Sequence, residues 1–258
     1  MDFQTLVDTD AVGIKIEHDE AVMMLGSCFA EDVGNLLKRS MLALCINPFG
    51  TLYNPRSIAQ SLRRLMADLP FSADELVAYG NLWHSMSHHS RFSSVDKDKA
   101  LQKINAAYAE GVACLRSARH LIVTFGTAYT FSTADGETVA NCHKMPASMF
   151  NRRMLSANEI ADEWIPLIDD IRKFNPHIDI TFTVSPVRHL ADGAHGNQLS
   201  KSTLLLAADS IMAQRPGVCH YFPSYEIMLD QLRDYRFFAA DMVHPSDVAG
   251  GGGGGGGV

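Results

Sequence analysis

The chain has 258 residues, 47% of them hydrophobic and 20% charged, with a formal net charge of −7. That length suits one large α/β domain with a sizeable core, and the composition excludes a disordered chain. A pI near 5.8 without any Lys or Arg cluster excludes a nucleic-acid-binding surface, which needs concentrated positive charge. The five cysteines, at 28, 45, 114, 142 and 219, are odd in number and form no CxxC pair. They therefore suggest neither a disulfide framework nor a zinc knuckle. Cys45, Cys114 and Cys219 sit in apolar surroundings and read as inert core thiols. The N-terminus MDFQTLVDTD has no apolar stretch of signal-peptide type, and no apolar run reaches membrane-span length. The expectation is a cytoplasmic protein without a membrane or nucleic-acid partner.

Short apolar runs alternate with amphipathic ones, the pattern of a parallel sheet covered by helices. Strands are expected at Ala21–Leu25, Met41–Ile46, His120–Phe125, Asp179–Val184 and Val218–Phe222. Each is nearly all apolar, as strands buried on both faces are. Helices are expected at Phe29–Arg39, Arg56–Leu65, Lys97–Leu115, Ser156–Phe174 and Ser200–Ala213. Asn54-Pro55 supplies a cap and a first-turn proline for the second helix, and Ser156 with Glu159 a capping box for the fourth. An irregular insertion near 68–95 follows the second strand, and a long connection runs from Thr127 to Leu155. Such connections gather where α/β folds bind ligands, so both are candidate walls of a site. The domain is expected over 1–249. The glycine run at 250–257 reads as a flexible tail or as a placeholder for unassigned residues, and is set outside the fold.

Two segments carry chemistry. Leu25-Gly26-Ser27-Cys28-Phe29-Ala30 follows the first strand and opens a helix, a turn that exposes a nucleophile at a positive helix end. Alone it is equally a tight turn with Ser27 as N-cap. Asp241-Met242-Val243-His244-Pro245 lies near the C-terminus. An Asp three residues before a His can orient the imidazole, and the His can serve as general base. His84, His88 and His89 lack carboxylate or thiolate companions at ligand spacing, so no metal site is expected. Arg188 and His189, after the fourth strand, are possible substrate contacts. In Asn141-Cys142-His143-Lys144, alternation puts Asn141 and His143 on one face and separates Cys142 from His143.

The pairing of the two segments resembles the SGNH, or GDSL, hydrolases. Gly26-Ser27-Cys28-Phe29-Ala30 spells the name of the GSCFA domain family within that superfamily. Asn47-Pro48-Phe49-Gly50-Thr51-Leu52-Tyr53-Asn54-Pro55, Asn141-Cys142-His143-Lys144 and Ser185-Pro186-Val187-Arg188-His189 look like further blocks of the family, spread over Met23 to Val248. The resemblance implies a three-layer α/β/α fold with five parallel strands, action on small-molecule or saccharide acyl esters, and neither metal nor organic cofactor. It implies Cys28 or Ser27 as nucleophile, His244 as base and Asp241 as its orienting acid. An ungapped alignment of Gly-Asp-Ser onto Gly26-Ser27-Cys28 favours Cys28, whose thiolate the helix end and His244 would stabilise; a shift of one residue favours Ser27. The resemblance also implies an oxyanion and substrate site around Gly26, Gly50 and Gly126. The asparagine of the superfamily's Gly-x-Asn-Asp block is missing from Gly126-Thr127-Ala128-Tyr129, and Asn141 is the candidate replacement, with His143 beside it. An acyltransferase acting on a sugar or other hydroxyl, and a catalytically weak binding protein of the same fold, remain open alternatives.

Overall fold

A computed structural model describes residues 5–9, 15–39, 42–246 and 249. The poly-glycine run, and Met41 at the start of the second expected strand, lie outside the described residues. The first strand, β1 (Ala21–Gly26), leads into helix α1 (Cys28–Lys38), then β2 (Ala43–Ile46) and α2 (Pro55–Ala67). A hairpin of β3 (Leu76–Tyr79) and β4 (Leu82–Ser85) precedes α3 (Lys97–Ser117) and β5 (His120–Phe125). Strands β6 (Tyr129–Ser132), β7 (Thr138–Val139) and β8 (Asn151–Met154) follow. The chain continues through α4 (Ala157–Phe174), β9 (Asp179–Val184), α5 (Gly193–Gln214) and β10 (Cys219–Tyr221). Local chemistry sets several of these starts: Asn54 accepts from the Ser57 N–H at 2.9 Å ahead of Pro55, and Ser156 and Glu159 close the expected capping box.

Five strands form one parallel sheet in the order β10-β9-β5-β1-β2. Side-chain alternation assigns its two faces. Met23 and Leu25, Leu121, Val123 and Phe125, and Ile180, Phe182 and Val184 share the main core, where Trp164 of α4 packs on Phe125 and Phe182. Helices α2 to α5 cover this face. The intervening residues face the other way: Met24 lies against α1 at Gly34, and Thr183 bonds to Phe222 and Ser224 just beyond β10. The fold is thus a three-layer α/β/α sandwich.

The two irregular connections have structure of their own. The first holds the β3–β4 hairpin, and the second an antiparallel sheet in the order β7-β6-β8. Helix α5 starts at Gly193 rather than Ser200, because Gly193, at φ +68°, ends the preceding turn and opens the helix, and Asn197 accepts the His189 N–H at 3.0 Å. The C-terminal segment forms a separate small apolar cluster of Ile227, Met228, Leu232, Phe238 and Ala249. Among the described residues, no helix is long and apolar enough to cross a membrane.

Candidate functional site

The strand order reverses at β1. The chain leaves β1 for β2 on one side, then returns across to β5 on the other, so a crevice opens at the carboxyl ends of β1 and β5. The Gly26 turn occupies that position. Gly26 takes φ +137°, and a Cβ there would stand 2.1 Å from the Thr124 carbonyl oxygen, so β1 and β5 close on each other only over a glycine. Gly126 plays the matching part on β5: its missing Cβ would lie 3.2 Å from Ser27 Cβ.

Residues 27 and 28 diverge from this turn. Ser27 is 1% exposed, and its hydroxyl has no hydrogen-bond partner among the described residues and does not cap the helix. Cys28 is half-buried, with its Sγ 3.7 Å from Nε2 of His244, a contact spanning 216 positions of sequence. On the far side of the ring, Nδ1 of His244 lies 2.7 Å from Oδ2 of Asp241. The other Asp241 oxygen accepts the backbone N–H groups of Val243 and His244 at 2.9 and 3.0 Å. These bonds hold the carboxyl at about 2, well below its usual range, with the His244 backbone N–H as the first cause. Met242, at φ +57°, makes the reversal that brings Asp241 round to the imidazole.

The segment bearing the pair is fastened mainly to its own neighbours. Ala239 N–H donates to the His244 carbonyl at 2.8 Å, and Ser246 N–H to the Phe237 carbonyl at 2.8 Å. Arg188, a candidate substrate contact in the sequence, instead lies 4.4 Å over the Phe238 ring and pins this segment. His189 stands edge-on to Tyr53, 5.8 Å between centroids, and burial pushes it down to about 4, so it is neutral at physiological pH.

The thiolate expected at Cys28 needs correction. Burial first, and then the Asp32 carboxylate, push the thiol above its ordinary value. The N–H groups of Phe29 and Cys28 and the charge of Lys201 pull in the opposite direction without prevailing. Cys28 rests as a neutral thiol beside a base. Cys45 and Cys114 pack half-buried against the main core, and their mutual hydrogen bond raises Cys45 and lowers Cys114. Cys219 is buried, and burial lifts it to about 12.

The expected oxyanion donors are engaged elsewhere. The N–H of Gly26 donates to Asn47 Oδ1 at 2.8 Å, that of Gly126 to the Tyr53 carbonyl at 2.8 Å, and that of Gly50 to the Asn47 carbonyl at 2.7 Å. Gly50, at φ +77°, instead makes room for His89, whose Cβ a side chain there would meet at 2.3 Å. Asn141 does not reach the Gly26 turn by any hydrogen bond among the described residues. Its Oδ1 accepts the His143 N–H at 2.8 Å, closing a local turn. His143 is buried against the β3–β4 hairpin, with Nε2 2.8 Å from the Ser85 carbonyl oxygen. The physical reason is the positive φ of His143 and Lys144, which curls this loop onto the hairpin rather than toward β1.

Two residues without an assigned role emerge. Asn47, fully buried at φ +48°, holds the Gly26 N–H and leaves its Nδ2 without a partner among the described residues. Lys201 of α5 is 1% exposed and reaches the carboxyl ends of β5 and β9. Asn47 had a signal in the Asn-Pro-Phe-Gly turn; Lys201, inside the helix expected at Ser200–Ala213, had none. Among the described residues no group of three or more His, Cys, Asp or Glu side chains could hold a metal.

The sequence model of the GSCFA family matches residues 21–251. No curated protein matches the chain. Among solved structures, an acetyl xylan esterase (Est2A) from the rumen bacterium Butyrivibrio proteoclasticus is similar at 10% identity with a TM-score of 0.32, over 81% of this chain and 56% of that one. This chain spans little more than half of that esterase, and at such a TM-score the likeness carries no functional weight.

Proposed function

The chain belongs to the GSCFA family, and on that premise we propose that it is an acyl-ester hydrolase working through a covalent acyl-enzyme on Cys28. The observation that carries this reading is the contact of Cys28 Sγ with His244 Nε2 at 3.7 Å, with Asp241 on the opposite ring nitrogen. Burial of the unpartnered Ser27 hydroxyl supports Cys28 over Ser27.

Each step follows from that arrangement. As sulfur adds to the ester carbonyl carbon, the thiol proton passes to Nε2 of His244 and the carbonyl electron pair moves onto oxygen. Asp241 fixes the proton on Nδ1, which leaves Nε2 as the acceptor, and then stabilises the imidazolium. The N–H groups of Cys28 and Phe29, which face the sulfur at an uncapped helix end, receive the oxyanion. Collapse expels the alcohol, which takes the proton back from Nε2. Water then adds to the thioester and gives its proton to His244, and a second collapse releases the carboxylic acid and restores the thiol. A neutral resting thiol makes His244 a true general base here, rather than one half of a standing ion pair.

The test is brief exposure to p-nitrophenyl acetate followed by mass spectrometry of the peptide containing residues 27 and 28. The expected result is an acetyl group on Cys28, lost in Cys28→Ala and retained in Ser27→Ala. Acetyl transfer that survives in Cys28→Ala would falsify the assignment.

A further inference from the structure

A buried lysine beside the site has no carboxylate partner among the described residues. Lys201 donates from Nζ to the Gly126 carbonyl at 2.6 Å and to the Ser185 carbonyl at 2.7 Å. These carbonyls end β5 and β9, the strand next to β1 and the one beyond it. Both oxygens turn their negative dipole ends toward the ammonium. Burying an unpaired ammonium is costly, and a helix of this kind packs more easily with an apolar residue in that place. Hydrogen bonding alone also has cheaper solutions nearby: the Ser200 hydroxyl already satisfies the Ala128 N–H at 2.8 Å.

The connection to the nucleophile runs through packing. Lys201 grips the Gly126 carbonyl, Gly126 abuts Ser27 Cβ, and Ser27 fixes the first residue of α1. We propose that Lys201 is a positioning residue of this site: its ammonium locks Gly126 behind the Ser27-Cys28 turn and places a buried positive charge at the carboxyl ends of β5 and β9, beside the strand that carries the nucleophile. The inference rests on the reading of Cys28 as nucleophile. The electrostatics agree in both directions. Burial lowers Lys201 to about 7, the Cys28 thiolate pushes it back up, and Lys201 in turn pulls the thiol down. Each charge therefore promotes the other in a region that Asp32 and burial otherwise keep hostile to a thiolate.

The experiment follows carbamidomethylation of Cys28 by iodoacetamide at neutral pH, read by mass spectrometry peptide by peptide, with Cys142 as internal control. Lys201→Met is expected to slow Cys28 alkylation about threefold, the effect of a half-unit rise in the thiol, and to leave Cys142 unchanged. Lys201→Arg restores the charge and is expected to recover most of the rate. Should Lys201→Met fail to fold, Lys201→Gln, which keeps two N–H donors without the charge, is expected to give the same slowing. A folded Met or Gln variant that alkylates at the wild-type rate overturns the proposal, as does an Arg variant as slow as the neutral ones. Ester hydrolysis that persists after complete alkylation of Cys28 overturns the nucleophile reading instead, and the alkylation series separates that failure from this one.

Discussion

The nucleophile turn and the acid–base segment meet within one hydrogen bond's reach, yet they are built on opposite principles. The turn is over-determined. Gly26 is clasped by Asn47 and pressed on Thr124, and Ser27 is buried behind Gly126. The Asp241–His244 pair is half-exposed, and its geometry comes from a local turn closed by Asp241 on its own backbone. The fold thus fixes the nucleophile through tertiary packing and brings the base to it on a self-shaped loop. A substitution in the turn should therefore cost stability, whereas one in the loop should cost rate.

The sharpest way to break that contrast is Asp241→Asn. The amide oxygen can still accept the Val243 and His244 N–H groups, so the loop keeps its shape, but the charge that fixes the imidazole tautomer is gone. A fall of about a thousandfold in kcat/KM with an unchanged melting temperature is expected in ester-hydrolysis assays. A comparable fall in melting temperature would show that the loop is structurally coupled to the core.

Gly26→Ala is expected to do the converse. The added methyl meets the Thr124 carbonyl oxygen at 2.1 Å in a backbone conformation disfavoured for L residues. Urea denaturation should show a loss of about 3 kcal/mol, the scale of combined overpacking and backbone strain. The smallest effect belongs to Met242→Gly. Met242 holds φ +57° at an exposed position, and glycine relieves that strain while making the unfolded chain more flexible. Denaturation should shift by less than about 1 kcal/mol, and a larger loss would mean that the Met242 side chain anchors the loop.

The sheet was legible because strands buried on both faces write apolar runs. The His120–Phe125 and Asp179–Val184 strands begin and end where those runs do. The β3–β4 hairpin was not legible, since the apolar Val77, Tyr79 and Leu82 are exposed while the polar His84 and Ser85 are buried, the reverse of the pattern that marks a strand in sequence. The start of α5 was hidden by Gly193 and Gly196, which mark a loop by propensity, until the Asn197 contact and the packing of the helix override it. In the site, Cys28, Asp241 and His244 could be paired because their spacing and neighbours imply chemistry. The engagement of the Gly50 N–H and the turning of Asn141 onto His143 depend on backbone angles that no spacing encodes. Lys201 escaped because burial of a helix lysine is decided by which strand ends lie beneath it.

The small apolar cluster of Ile227, Met228, Leu232 and Phe238 is separate from the main core. It can therefore open as a cooperative unit of its own, while β1, β5 and β9 keep their amides protected from hydrogen exchange. Each such opening would withdraw His244 and leave Cys28 in place with no base. On warming, catalysis should accordingly fade before the sheet melts and return on cooling. The thermal optimum would then report the foldon that carries His244 rather than the domain as a whole.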